Sequence, residues 1–200
     1  MAQRKLFSRL AYLAKATHLI RDFAYWPFIA ISWLPAMILF KSHIGEITPI
    51  SGESMYPSFN ANFNENLKKD VVWTKKWKPT VELKRGMVIS IRNPYNPETL
   101  QIKRVIAIEG DTVSTRPPCP VPTVQVPQNH IWVEGDNVDT TKTLDSNTYG
   151  AIPLNLVQGQ ITHILLPFRR SGPVRWWEYK KSCRVSEGSG ESAPGWFESV

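Results

Sequence analysis

The sequence predicts a mainly β fold carried behind one N-terminal transmembrane helix. Three observations predict it. An uncharged apolar stretch of 18 residues runs from Phe23 to Phe40. Beyond it, short Val/Ile-rich runs recur between turn residues. Sixteen prolines and 11 glycines among 200 residues punctuate the chain too often for a long helical bundle.

The apolar stretch, FAYWPFIAISWLPAMILF, is bounded by Asp22 and Lys41. A membrane span needs about 20 apolar residues, with a lower limit near 17. Pro27 falls in the first turn, where proline is tolerated. Pro35 predicts a kink. Trp26 and Trp33 fit interfacial positions near the ends of a short or tilted span. A buried core helix is the competing reading, but the stretch is longer than such helices usually are. A cleaved secretory signal fits less well, because no small-x-small site follows. Residues 1–21 carry five basic side chains and no acidic one, which keeps the N-terminus on the synthesis or matrix side and exports residues 41–200. The same basic, acid-free segment has the composition of mitochondrial targeting sequences.

The predicted strands follow in order: Val71–Thr74, Met87–Ile91, Ile102–Ile108, Thr123–Val126, His130–Val133 and Ile161–Leu166. Gly110-Asp111, Pro117-Pro118, Gly135-Asp136-Asn137 and Tyr149-Gly150 separate them. Residues 60–70 and 93–99 read as solvated loops, and the stretch from Ser186 as a disordered tail. The organisation is therefore a basic segment (1–22), a span (23–40), a folded domain (41–170) and a basic, then disordered tail (171–200).

Charge excludes some functions. The net charge of +7 lies at the ends: residues 22–167 hold 13 basic and 13 acidic side chains. A nucleic-acid binder carries its basic patch on the folded domain. Cys119, Cys183 and four scattered histidines make no metal site, and no cofactor is expected. Cys119 and Cys183 are expected to be unpaired.

Ser54 stands in Ser51-Gly52-Glu53-Ser54-Met55-Tyr56-Pro57, about a dozen residues after the span. Tyr56 replaces the second glycine of a nucleophile elbow. A serine nucleophile needs a base, and none of His18, His43, His130 and His163 stands in a triad context. The other candidate is Lys103, in the apolar run Ile102–Ile108. Strict alternation places Lys103, Val105 and Ala107 on one face. Burial on that face lowers the pKa of an amine by disfavouring its charge. A lysine snorkelling to water from an edge strand is the plain alternative.

Five motifs then occur in one order: Ser54-Met55-x-Pro57; Arg85-Gly86; Lys103-Arg104-Val105-Ile106 with Gly110-Asp111; Gly135-Asp136-Asn137; and Asp145-Ser146-x-x-Tyr149-Gly150. Together, over residues 20–170, they resemble the type I signal peptidases, membrane peptidases with a Ser/Lys dyad. The resemblance implies the antiparallel β fold of that family, with Ser54 as nucleophile and Lys103 as neutral general base. It implies that Thr143 orients the lysine and that Asp145 holds the site's architecture. Gly52 stands where some members add a hydroxyl to the oxyanion hole. Asn147 stands where Asp145 usually meets an arginine, and Met87 replaces a common acidic residue. Asn147, the basic N-terminus and the run from His130 to Asp136 resemble the mitochondrial branch of the family, and its second subunit type in particular. The subunit 1, bacterial and plastid types, and a non-catalytic membrane-anchored scaffold, are the alternatives. Self-cleaving repressors share the chemistry but carry a DNA-binding module in place of a span. The implied substrates are precursors with cleavable hydrophobic sorting signals. The implied partners are a second related peptidase subunit and inner-membrane lipid.

Overall fold

A computed structural model describes residues 25–61, 69–179 and 184–188. The chain divides into a unit ending at Ser42 and a unit beginning at His43. Helix α1 runs over Tyr25–Ile44, its last two residues belonging to the second unit, and closes on a π-turn at Phe40–Ile44. Its described part begins at Tyr25, Phe23 and Ala24 lying outside the described residues, and it ends four residues beyond Phe40. None of its apolar window is buried, which removes the core-helix reading. With the extension past Phe40, Trp33 lies near the middle of the helix. Ser42 Oγ donates to the Ile38 carbonyl and so helps to close the last turn.

The second unit is a β structure whose strand pairs are all antiparallel. Its large sheet has the order β1 (Gly45–Pro49), β2 (Val71–Lys75), β9 (Val157–Leu166), β3 (Val88–Arg92), β4 (Leu100–Ala107), β7 (His130–Glu134), β8 (Ile152–Pro153), with β10 (Gly172–Pro173) also on β9. A smaller sheet orders β11 (Val185–Ser186), β5 (Thr112–Ser114), β6 (Thr123–Gln125). One short helix, α2 (Ser146–Tyr149), follows Asp145.

The six runs predicted from sequence correspond to β2, β3, β4, β6, β7 and β9. β1 and β5 are not among them, and neither are β8, β10 and β11, which are two residues long and are strands only through their partners. Ser186 pairs with Thr112, and Gly172 with Ile164. The sheets therefore take in chain beyond residue 170, and Val174 and Val185 are buried. Ser186, read as the start of a disordered tail, belongs to β11. Residues 189–200 and Cys183 lie outside the described residues.

The core explains where the strands lie. Ile89, Ile91, Val105, Val133 and Val157 form one buried cluster, and Ile50, Met55, Phe59, Val72 and Val88 another. The predicted alternation through Lys103, Val105 and Ala107 holds only halfway. A bulge between Val105 and Ala107 shifts the register against β7, so Ala107 joins Ile106 and Trp132 in a third cluster.

The segment read as a solvated loop, 60–70, is anchored at both ends. Asn60 and Asp70 are buried; residues 62–68 lie outside the described residues. Asn60 takes a left-handed φ of 54°, which asparagine tolerates better than most residues. Its Nδ2 donates to the carbonyls of Ile50 and Gly52, and its Oδ1 accepts from the Asp70 N–H at 2.8 Å. Asn60 thereby closes the loop that carries Ser54. Asn60→Ala orphans these buried groups, and chemical denaturation should find it about 3 kcal/mol less stable. An unchanged midpoint would show that the staple carries no stability.

Candidate active site

The loop before Ser54 enters from β1 and is turned back by Met55 and Phe59, each 2% exposed and packed in the core. Ser54 itself is half-buried. It lines a cavity of about 470 Å³ together with Gly52, Met55, Gln101, Ile102 and Lys103. The structure thus brings Ser54 and Lys103, distant in sequence, into one cavity. None of the described histidines, His43, His130 and His163, lines it.

Lys103 sits on β4 opposite Ile89 of β3. It is 2% exposed, so the snorkelling alternative is not what the fold does. Burial lowers its pKa to about 8, against the weaker opposing pull of Asp145 and Asp136. Its Nζ donates a 3.0 Å hydrogen bond to Thr143 Oγ1. Thr143 in turn donates to Asp145 Oδ2 at 3.2 Å. All four residues singled out from sequence therefore belong to one constellation: Ser54 and Lys103 share the cavity, and Thr143 and Asp145 extend a hydrogen-bonded line behind the lysine.

Asp145 is also the N-cap of α2, accepting from the Asn147 N–H at 3.0 Å. Its Oδ2 accepts from the Gly135 N–H at 3.3 Å. Asn147 makes no ion pair with it. Instead Asn147 Nδ2 donates both to Asp145 Oδ1 and to Glu134 Oε1, and Glu134 is the carboxylate that meets a cation, Arg184, at 2.6 Å. In this chain the cation sits on Glu134, and the neutral Asn147 amide bridges Glu134 and Asp145.

The Gly135-Asp136-Asn137 motif divides its work. A Cβ on Gly135 would lie 2.3 Å from Thr143 Oγ1 and 2.5 Å from the Ser54 carbonyl, so only glycine lets these two segments approach. Asp136 pairs with Arg104. The Asn137 N–H donates to the Ser54 carbonyl at 3.1 Å, and its Nδ2 to the Glu53 carbonyl at 2.8 Å. The remaining motifs are staples as well. Arg85 forks onto Asp111, with both bonds at 2.7 Å, and the Gly86 carbonyl accepts from Arg104 Nη1.

The sequence and these contacts can be set beside known proteins. Residues 21–118 match the family described as signal peptidase, peptidase S26. Mitochondrial inner membrane protease subunit 2 of Schizosaccharomyces pombe is 37% identical over 151 residues, 76% of this chain and 81% of that protein. The chain belongs to the signal peptidase family. Subunit 2 of Saccharomyces cerevisiae is 38% identical over 152 residues, covering 74% of this chain and 80% of that protein. Mouse subunit 1 of the same protease is 32% identical over 138 residues, covering 66% and 76%. Similarity is thus higher to the subunit 2 relatives, in line with the reading of Asn147. This signal peptidase is a protease of the mitochondrial inner membrane, and among the described residues one N-terminal helix is long and apolar enough to cross that membrane.

Three site features carry no sequence signal of their own. Glu53 pairs with Lys142 at 2.6 Å at the cavity wall, joining the residues just before Ser54 and Thr143. Gln101 lines the cavity with a buried Oε1 that has no hydrogen-bond partner. Asn60 closes the Ser54 loop. Each depends on which loops the sheet brings together. The roles of Gly135 and Asn137 were signalled only by their place in a motif.

Proposed function

We propose that Ser54 and Lys103 form the nucleophile and general base of an endopeptidase that removes hydrophobic sorting segments from precursors reaching the intermembrane space. The observation that carries this reading is a fully buried amine, Lys103, sharing one cavity with Ser54 and held by Thr143 at 3.0 Å. An amine of ordinary pKa, near 10.4, is about 0.4% neutral at pH 8, whereas one at about 8 is half neutral.

Neutral Lys103 takes the Ser54 hydroxyl proton as Oγ attacks the scissile carbonyl. The N–H of Ser54, uncommitted among the described residues, donates to the developing oxyanion. The tetrahedral adduct then collapses: the C–N bond breaks, and Lys103 passes its proton to the leaving amine. Water, deprotonated by Lys103, attacks the acyl-serine; the ester C–O bond breaks, Ser54 Oγ takes the proton back from Lys103, and the acid product leaves. Thr143 fixes the lysine's rotamer and lone-pair direction, and Asp145 fixes Thr143.

The basic residues before α1 place the N-terminus in the matrix and residues 41–200 in the intermembrane space. Anchoring keeps the dyad near the membrane from which a sorting segment emerges, raising its effective concentration. The two kinds of subunit among the relatives support assembly with a second peptidase of the same fold.

The test is precursor processing in isolated mitochondria lacking the endogenous protein. Ser54→Ala, present at normal abundance, should leave an intermembrane-space precursor uncut. Cleavage at the wild-type rate would sink the assignment and give the cutting to a partner.

A further inference from the structure

A second concavity, of about 430 Å³, lies apart from the Ser54 cavity. Four arginines line it, Arg104, Arg169, Arg170 and Arg175, with Ser58 and Ser171. Two of them are committed. Arg104 forks onto Asp136. Arg170 holds Asp70 at 3.0 Å and the Ser58 carbonyl at 2.5 Å. The other two are not. Arg175 has only a 3.5 Å contact with Glu178, both side chains being more than half exposed. Arg169 is exposed and has no acidic or hydrogen-bonding partner among the described residues.

Gathering four guanidinium groups around one cavity raises their mutual repulsion. Asp136 and Asp70 offset the inner pair, and Glu178 only weakly offsets Arg175. The net field at the mouth is positive, and guanidinium forks match phosphate oxygens in geometry. The chain beside the cavity is apolar and uncovered: Phe168 is 84% exposed and Trp177 57%. A soluble anion has no use for such a rim, whereas a lipid presents a phosphate and acyl carbon together. Aromatic side chains next to arginines are the pairing found at membrane interfaces.

We propose that this cleft binds the phosphodiester headgroup of an anionic phospholipid, with Arg169 and Arg175 on the phosphate and Phe168 and Trp177 against the acyl region. A headgroup that carries its own cation is disfavoured by the same arginines. The site takes no part in cleavage, so the proposal stands or falls separately from the peptidase reading.

The test is native mass spectrometry of the full chain in non-ionic detergent, titrated with phosphatidylglycerol or phosphatidylcholine. Wild type should retain phosphatidylglycerol preferentially. Arg169→Gln/Arg175→Gln should weaken that binding about thirtyfold, at the usual contribution per basic residue at an anionic surface. Phe168→Ser/Trp177→Ser should weaken it as well, and millimolar inorganic phosphate should not displace the lipid. Lipids around α1 are common to all variants and cancel in the comparison. All these side chains are exposed, and an unchanged melting temperature identifies folded variants. Equal retention of the two lipids, or an arginine variant that binds like wild type, overturns the proposal. Displacement by inorganic phosphate together with indifference to the aromatic variant overturns it in favour of a free-anion site. Capture of an acidic segment of another subunit without lipid preference overturns it in favour of a protein interface.

Discussion

Lys103→Met should abolish cleavage and at the same time raise the melting temperature at neutral pH. The loss of activity follows from removing the proposed base: a serine hydroxyl beside a thioether keeps its proton, and the rate should fall on the order of 10⁴-fold or more. The gain in stability follows from burial. Lys103 is 2% exposed, and burial depresses its pKa from 10.5 to about 8. Below pH 8 the amine is charged in both folded and unfolded chains, and the folded state carries the full cost of that charge. Between pH 8 and about 10.4 the folded state sheds its proton first, so stability rises with pH. Above that range both states are neutral and the cost is gone. At 1.36 kcal/mol per pKa unit the cost is roughly 3 kcal/mol. Loss of the hydrogen bond to Thr143 returns about 1 kcal/mol. The methionine variant should therefore melt about 4–8 °C higher at pH 7, and the gap should close as pH approaches 10. A gap independent of pH would mean that the lysine charge is not its source. In the wild type, kcat/KM should climb with pH to a limb near 8, since only the neutral amine accepts the serine proton.

Gly135→Ala should slow the reaction about 100-fold without touching a reacting group. The backbone of Gly135 needs no left-handed conformation, so the effect is purely one of space. The added methyl meets Thr143 Oγ1 at 2.3 Å and the Ser54 carbonyl at 2.5 Å. The carbonyl is main chain and is also held by the Asn137 N–H. Either the Ser54 loop lifts or Thr143 retreats from Lys103. A displacement near 1 Å costs on the order of 100-fold in a site of this kind. The strain should cost about 1–3 kcal/mol of stability as well. Gly110→Ala is the control. Gly110 has a φ of 83° and nothing within 4 Å of an added Cβ, so it strains the backbone away from the site. Steady-state kinetics on a cleavable peptide should show kcat falling in the first variant and unchanged in the second. Wild-type turnover by Gly135→Ala would remove the spacing argument.

Much of this was legible in the residues. The span announced itself by 18 uncharged residues, and six strands by Val/Ile runs long enough to carry their own periodicity. Of the strands that escaped, β1 carries only one buried residue, Gly45, β5 is three residues long, and β8, β10 and β11 are two residues long. No local pattern exists at that length, and their partners are what make them strands. Ser54, Lys103, Thr143 and Asp145 stood out through ordered motifs, which marked them without giving their distances.

By itself the sequence determined the anchor, its charge asymmetry and the β character, because composition and periodicity are properties of neighbouring residues; the candidate reactive groups it marked only through ordered motifs. Only the tertiary structure decided that Lys103 is buried, that a bulge turns Ala107 away from its face, that Gly135 lets Thr143 meet the Ser54 loop, and that four arginines share one cavity. Burial and proximity join residues far apart in the chain, and the environment they create decides whether an amine at position 103 is a cation or a base.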